Sequence, residues 1–294
     1  MRFSFAGLIL ILLIGALGLQ GQENPPPPPE YILLISLDGA RPDAIQQVDT
    51  PNLDTLAARG SSTLSALTVS PSVTIPAHTS MLTGLDVSEH GVVHNDYSDI
   101  PVGAKTFLLT THEAGYPTAI VAGKEKLVQF RQHDDIPFVF ARSGDASVVD
   151  AATTLLDDGY RVLLVHFPNP DYFGHLLGWM SRPYLWELEN TDFQVGRLLD
   201  WYEANHVLDE TLIVVTADHG GHGFGHGEDT PEDRLIPWIA AGPGIKANYT
   251  IQEPVSVADS AHTILYALDL ERPESTVGKI PLEIFIDPVP LPES

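Results

Sequence analysis

Between Thr216 and Gly227 the chain reads TADHGGHGFGHG: one Asp, three His and five Gly in twelve residues. Glycine loses more backbone freedom on folding than any other residue, so the stretch is a poor strand and a worse helix. It makes sense as a tight loop that brings side chains to one point, and Asp with His makes that point a metal ion. Asp218, His219, His222 and His226 are all candidates here. A second group, Asp171 and His175 in DYFGH, is spaced to reach one ion from a single turn. A third element is 71-PSVTIPAHTSMLTG-84. Pro76 suits the first position of a helix, where its missing N–H costs nothing. Thr74 then stands just ahead of that helix, where free N–H groups and the helix dipole favour an anion. Its hydroxyl is either a helix cap or a nucleophile activated by a nearby metal.

The elements that must position these residues alternate. Continuous apolar runs at Tyr31–Leu37, Thr118–Val121, Arg161–His166, Leu212–Thr216 and Leu235–Ala240 read as buried strands. Helical patterns lie near Asn52–Ala58, Thr79–Leu82, Thr106–Ala114, Val148–Leu156, Tyr184–Glu203 and Val257–Leu268. The expected fold is an α/β sandwich with a mostly parallel central sheet and helices on both faces. Ligands of such sheets bind beyond the carboxyl ends of the strands. Three strands here lead into an Asp at that edge: Asp38, Asp171 and Asp218.

The bulk properties narrow the function. The 294 residues carry 15 Lys and Arg against 39 Asp and Glu, a net charge of −24. Such a surface repels nucleic acid polymers and anionic lipid. There is no Cys, so neither disulfides nor a thioether lipid anchor contributes. Arg2 followed by the apolar run Phe5–Leu19 reads as an export signal, too short for a membrane span of about 20 residues. The expected organisation is a signal peptide over 1–21, a proline-rich linker over 22–30 and a catalytic domain over 31–294. The product would be secreted or periplasmic, with no stable membrane span once the signal is removed; an uncleaved signal anchor is the other reading.

The ordered set D-G after the first strand, T-x-P-x-H-x-x-x-x-T-G, H-G-x-x-x-N, P-D-x-x-G-H and T-A-D-H-G resembles the alkaline phosphatase superfamily. Within it, the type I phosphodiesterase / nucleotide pyrophosphatase branch is most similar, over Tyr31 to about Leu270. The resemblance implies two zinc ions, with manganese as the alternative metal, bridged by a substrate phosphate. Asp38, Asp218 and His219 would hold one ion, which also meets Thr74. Asp171 and His175 would hold the other, completed by His226, with His222 as competitor and His262 disfavoured on its amphipathic helix, where packing or surface exposure accounts for it. It implies further that Thr74 attacks phosphorus, that a phospho-threonine forms and is hydrolysed, and that Asn95 binds a phosphate oxygen. The partner is then a small phosphate ester.

Two departures bear on the substrate. Pro76-Ala77-His78 replaces the branch's usual P-N-H, and no insertion supplies an obvious nucleotide or lipid pocket. Lys124 and Lys126, in VAGKEK after the Thr118–Val121 run, open an alkaline phosphomonoesterase reading, because a monoester carries an extra negative charge. A phosphotransferase to a lipid or sugar acceptor is another alternative, and a binding protein that has lost catalysis a fourth.

Overall fold

The computed structural model describes residues 27–288. The expected signal segment and the first part of the proline-rich linker lie outside the described residues.

The chain opens with strand β1 (Tyr31–Leu37), fully buried after Tyr31, as a central strand covered on both faces must be. Helices α1 (Pro42–Ile45) and α2 (Pro51–Arg59), each with Pro in its first turn, lead to β2 (Gly60–Leu67). Next come α3 (Thr74–Thr83), α4 (Val87–His90) and α5 (Phe107–Glu113). Strands β3 (Thr118–Ala122) and β4 (Phe138–Phe140) precede α6 (Asp145–Asp157) and β5 (Val162–Phe167). Helices α7 (Asn169–Leu177) and α8 (Arg182–Ala204) are followed by β6 (Thr211–Thr216). The chain closes through α9 (Pro231–Arg234), β7 (Leu235–Ala241), β8 (Tyr249–Thr250) and α10 (Asp259–Ala267).

These strands form one sheet in the order β4-β3-β5-β1-β6-β7-β2-β8. β7 alone runs against its neighbours, so the sheet is mostly parallel, as expected. Helices α1, α2, α6 and α7 pack around α8, while α3, α5 and α10 pack together, which covers both faces. Asp192 on α8 fixes α2 by accepting from the Asn52 and Leu53 backbone N–H groups at 3.2 and 2.8 Å.

Two local expectations change. β2 and β8 carry no continuous apolar run, and β4 is an apolar run of only three residues, FVF; none of them was expected as a strand. Helix α3 starts two residues early: Thr74 is its first residue, after Val73 as N-cap, and Pro76 falls third. Proline is tolerated there as well, because the first-turn N–H groups have no partner within the helix. All ten residues of α3 are buried, so the N-terminus that carries Thr74 is rigidly held.

Candidate active site

The central order β5-β1-β6 brings the carboxyl ends of three adjacent parallel strands together, and with them Asp171, Asp38 and Asp218. Glycines make the approach possible. Gly39 has φ +72°, and a Cβ there would stand 2.9 Å from the Asp171 backbone. A Cβ on Gly221 would strike the ring of buried Trp179. Trp179 is therefore a packing residue, anchored by its Nε1–H to the Gly39 carbonyl at 3.0 Å, rather than the wall of a groove.

The imidazoles arrive in fixed tautomers. Nδ1 of His219 lies 2.8 Å from the Gly220 carbonyl, Nδ1 of His175 2.9 Å from that of Phe224, and Nδ1 of His226 2.9 Å from that of Ser72. A carbonyl only accepts, so each Nδ1 carries the proton and each Nε2 presents a lone pair. His219 Nε2 lies 3.5 Å from Asp38 Oδ1 and 3.4 Å from Asp218 Oδ2. Asp171 Oδ1 lies 3.4 Å from His175 Nε2 and 3.5 Å from His226 Nε2. The two groups touch, because His219 stacks on His226 with ring centroids 3.6 Å apart and stands 4.0 Å from Asp171 Oδ1.

These atoms fit metal ions. Asp38 Oδ1, Asp171 Oδ1, Asp218 Oδ2 and His219 Nε2 are buried and have no hydrogen-bond partner. Buried polar atoms are otherwise nearly always paired, and four unpaired acceptors converging on one place call for cations. The sets Asp38/Asp218/His219 and Asp171/His219/His226 each bring their donor atoms within 4.8 Å of one another. His175 stands on the open side, with its side chain 46% exposed. His222 turns away and pairs with buried Asp233 at 2.7 Å, and His262 bonds the Gly84 carbonyl at 3.0 Å.

Lys124 sits between the two sets, with the Thr74 hydroxyl beside it. The Lys124 ammonium is 2.6 Å from Asp38 Oδ2, 2.7 Å from Asp171 Oδ2 and 3.4 Å from Thr74 Oγ1. It occupies one oxygen of each carboxylate and leaves the other free. Burial pulls the Lys124 pKa down, but Asp38, Asp171 and Asp218 overcome this and raise it above its ordinary value. Burial also opposes ionisation of Asp38, yet Lys124 and His166 hold its pKa well below the usual range. Asp218 is pushed the other way, by burial and by Asp38. His226 is lowered to about 4 by burial and by neighbouring His219, which keeps its ring neutral.

Asn95 Oδ1 accepts from the Ile75 backbone N–H at 3.0 Å and from Lys126 Nζ at 2.8 Å. Two donors on that atom fix the amide orientation and leave Nδ2 as a free donor. Lys126 thus reaches the site through Asn95.

The sequence reading left several supporting residues without a role. His166 Nε2 is 2.7 Å from Asp38 Oδ2, and its Nδ1 accepts from Gly123 N–H at 3.3 Å. His78 donates from Nδ1 to the Thr74 carbonyl at 2.8 Å and meets Ser36 Oγ at 2.8 Å through Nε2. Their closeness to the motifs was the only signal. Partners of this kind commonly alter metal affinity 10- to 100-fold. Replacing His166 by Ala is expected to weaken divalent-metal binding in that range, as measured by competition with a chromophoric chelator.

Asp145 supports α7 from below. It accepts from the Asn169 N–H at 3.1 Å and from the Thr191 hydroxyl at 2.6 Å, two residues before Asp171. Burial pushes its pKa from 3.8 up to about 7 against those two hydrogen bonds. The folded chain then holds a proton that the unfolded chain has lost, so stability is full below pH 3.8 and falls as pH rises towards 7. Asp145→Asn mimics the protonated acid. Relative to wild type it is expected to gain about 2–4 kcal/mol between pH 4 and 8 in denaturant titrations.

Fold and site together have the form of a metal-assisted hydrolase built on a doubly wound sheet. The family model described as type I phosphodiesterase / nucleotide pyrophosphatase matches residues 32–134 and 133–238, and the chain belongs to that family of hydrolases. Ectonucleotide pyrophosphatase/phosphodiesterase family member 7 of Mus musculus is 26% identical over 216 residues, 64% of this chain and 49% of the relative. Bis(5'-adenosyl)-triphosphatase of Xenopus laevis is 25% identical over 249 residues, 77% of this chain and 53% of the relative. The chain spans about half the length of these curated relatives. Murine ectonucleotide pyrophosphatase/phosphodiesterase 5, solved with AMP as an inactive threonine-to-alanine form, superposes with a TM-score of 0.74. It is 16% identical, and the match covers 85% of this chain and 97% of that one.

Proposed function

We propose that this chain is an exported phosphoric ester hydrolase of the phosphodiesterase / nucleotide pyrophosphatase type, acting through Thr74 at a site for two zinc ions. The observation that carries this reading is the set of four partnerless buried ligand atoms gathered around the Lys124 ammonium, which also reaches Thr74. Asp38, Asp218 and His219 would hold one ion, and Asp171, His175 and His226 the other. Zinc bound there supplies Lewis acidity that lowers the pKa of the Thr74 hydroxyl, offsets phosphate charge, stabilises the departing oxygen and activates the hydrolytic water.

The chain's own residues do the rest. The Thr74 oxygen attacks phosphorus in line as the ester oxygen departs, forming a phospho-threonine. With a diester the phospho-threonine still carries the second ester group; water then attacks that phosphorus, displaces the Thr74 oxygen as its hydroxyl and releases a phosphate monoester, or inorganic phosphate where the substrate is a monoester. Asn95 Nδ2 is free to donate to a nonbridging oxygen, and the Thr74 N–H at the start of α3 is oriented by the helix dipole towards an anion. Lys124 offsets the negative charge beside the nucleophile. Among the described residues no helix is long and apolar enough to cross a membrane.

The two lysines favour a second reading, a phosphomonoesterase. Lys124 lies 3.4 Å from Thr74 Oγ1 and Lys126 holds Asn95, so two cations stand where a monoester's extra charge would fall. The deciding assay compares zinc-loaded protein on bis-p-nitrophenyl phosphate and p-nitrophenyl phosphate at alkaline pH. The phosphodiesterase reading expects a strong preference for the diester. A strong monoester preference supports the second reading, and no turnover of either with two zinc ions bound contradicts both.

A further inference from the structure

Large apolar side chains on a protein surface are normally scattered singly, and a gathering of them marks a contact site. Here they gather at the mouth of the candidate site. On α7, Asp171 and His175 lie one turn apart, and Tyr172 and Leu176 lie one turn apart on the adjoining face, 59% and 56% exposed. Phe224, between His219 and His226, is 67% exposed. Its carbonyl accepts from His175 Nδ1 at 2.9 Å. Its ring lies against Gly178, where a Cβ would come within 3.6 Å of it, so the ring sits over the C-terminal end of α7. Tyr172, Leu176 and Phe224 therefore border His175, the most exposed of the residues at the second metal set. On the other side of the site, Val93 and Tyr97 flank Asn95 in sequence and are exposed too.

The direction of the reaction says what would cover this rim. Thr74 is buried, and Lys124 closes the inner side between Asp38 and Asp171. In the hydrolase reading Thr74 attacks from the side of Asp38, Asp218 and His219, so an in-line displacement sends the ester oxygen towards Asp171, His175 and His226, and the group attached to that oxygen extends outward past His175. We propose, resting on the hydrolase reading above, that this leaving group is apolar, an aryl or alkyl group, and that Tyr172, Leu176 and Phe224 hold it. Their side chains offer aliphatic and ring surface and no charge with which to hold a second phosphate.

The test uses a series of 4-alkylphenyl phosphate esters, from methyl to hexyl, in the diester or monoester form that the zinc-loaded enzyme hydrolyses faster. Their phenols have nearly equal acidity, so only apolar size changes. Full burial of one methylene is worth about fourfold and half burial about twofold in binding. KM is expected to fall about twofold per methylene with kcat flat. The paired substitution Leu176→Ser with Phe224→Ser, verified by unchanged melting, is expected to flatten that dependence. One KM across the series, or a slope that survives both substitutions, overturns the proposal while leaving the hydrolase reading intact. Turnover of the p-nitrophenyl ester with none of any alkylphenyl member overturns the proposal alone; turnover of neither overturns the hydrolase reading and the proposal with it.

Discussion

Replacing Thr74 by Ala is expected to lower turnover of the best phosphate ester by at least about 10⁴-fold while two equivalents of zinc remain bound. The reasoning is local. Thr74 opens a helix whose ten residues are all buried, and no ligand atom of the two metal sets belongs to it apart from its own hydroxyl. Losing the hydroxyl removes the nucleophile and leaves Asp38, Asp171, Asp218 and the three imidazoles in place. Catalytic nucleophiles act as a unit with their surroundings, and removing one leaves only the binding and electrostatic contributions. Zinc content by elemental analysis and kcat on the same preparation check both halves. Losing one hydroxyl and one methyl at this buried helix start costs about 1–2 kcal/mol, so the variant should fold.

The second large effect concerns Lys124 and depends on the metal. In metal-free protein the ammonium bridges Asp38 and Asp171, at 2.6 and 2.7 Å. Breaking a buried pair by removing one partner costs about 3–5 kcal/mol, because the remaining charge is left unbalanced. Lys124→Ala is therefore expected to lower the melting temperature of chelator-treated protein by about 10 °C, at 2–4 °C per kcal/mol for a chain of this size. With zinc saturating the site, the carboxylates have other cations and the loss should shrink to a few degrees. Zinc should in turn stabilise the variant more than the wild type. Thermal melts of both proteins, with and without zinc, give the four values; an equal loss in both states would mean that Lys124 is not balancing the ligand carboxylates.

Much of this site was legible in the chain because its ligands sit at the ends of strands that announce themselves. YILLISL and LIVVT are continuous apolar runs, and parallel central strands need that, so Asp38 and Asp218 could be placed at one edge. β2 reads GSSTLSAL and shows no such run; it is a strand because β7 and β8 pair with it, which its own composition does not encode. The start of α3 was set two residues late because Pro was given its commonest position, whereas the first turn accepts it elsewhere. Lys124 was legible as a residue near the strand end. That its ammonium lies between two carboxylates depends on the fold of the 123–130 segment against α7. His78, His166 and Asp145 were less legible still, since their partners are 42, 128 and 24 residues away.

The central claim is that phosphoryl transfer passes through Thr74. The most direct measurement is an acid quench during turnover, followed by proteolysis and mass spectrometry of the peptide that contains Thr74. The account predicts one phosphate adduct on that residue, bearing the retained ester group when the substrate is a diester, present with substrate and zinc and absent without either. Full burst-phase turnover with no phosphate on Thr74 at any quench time, or phosphate on another residue, would contradict it.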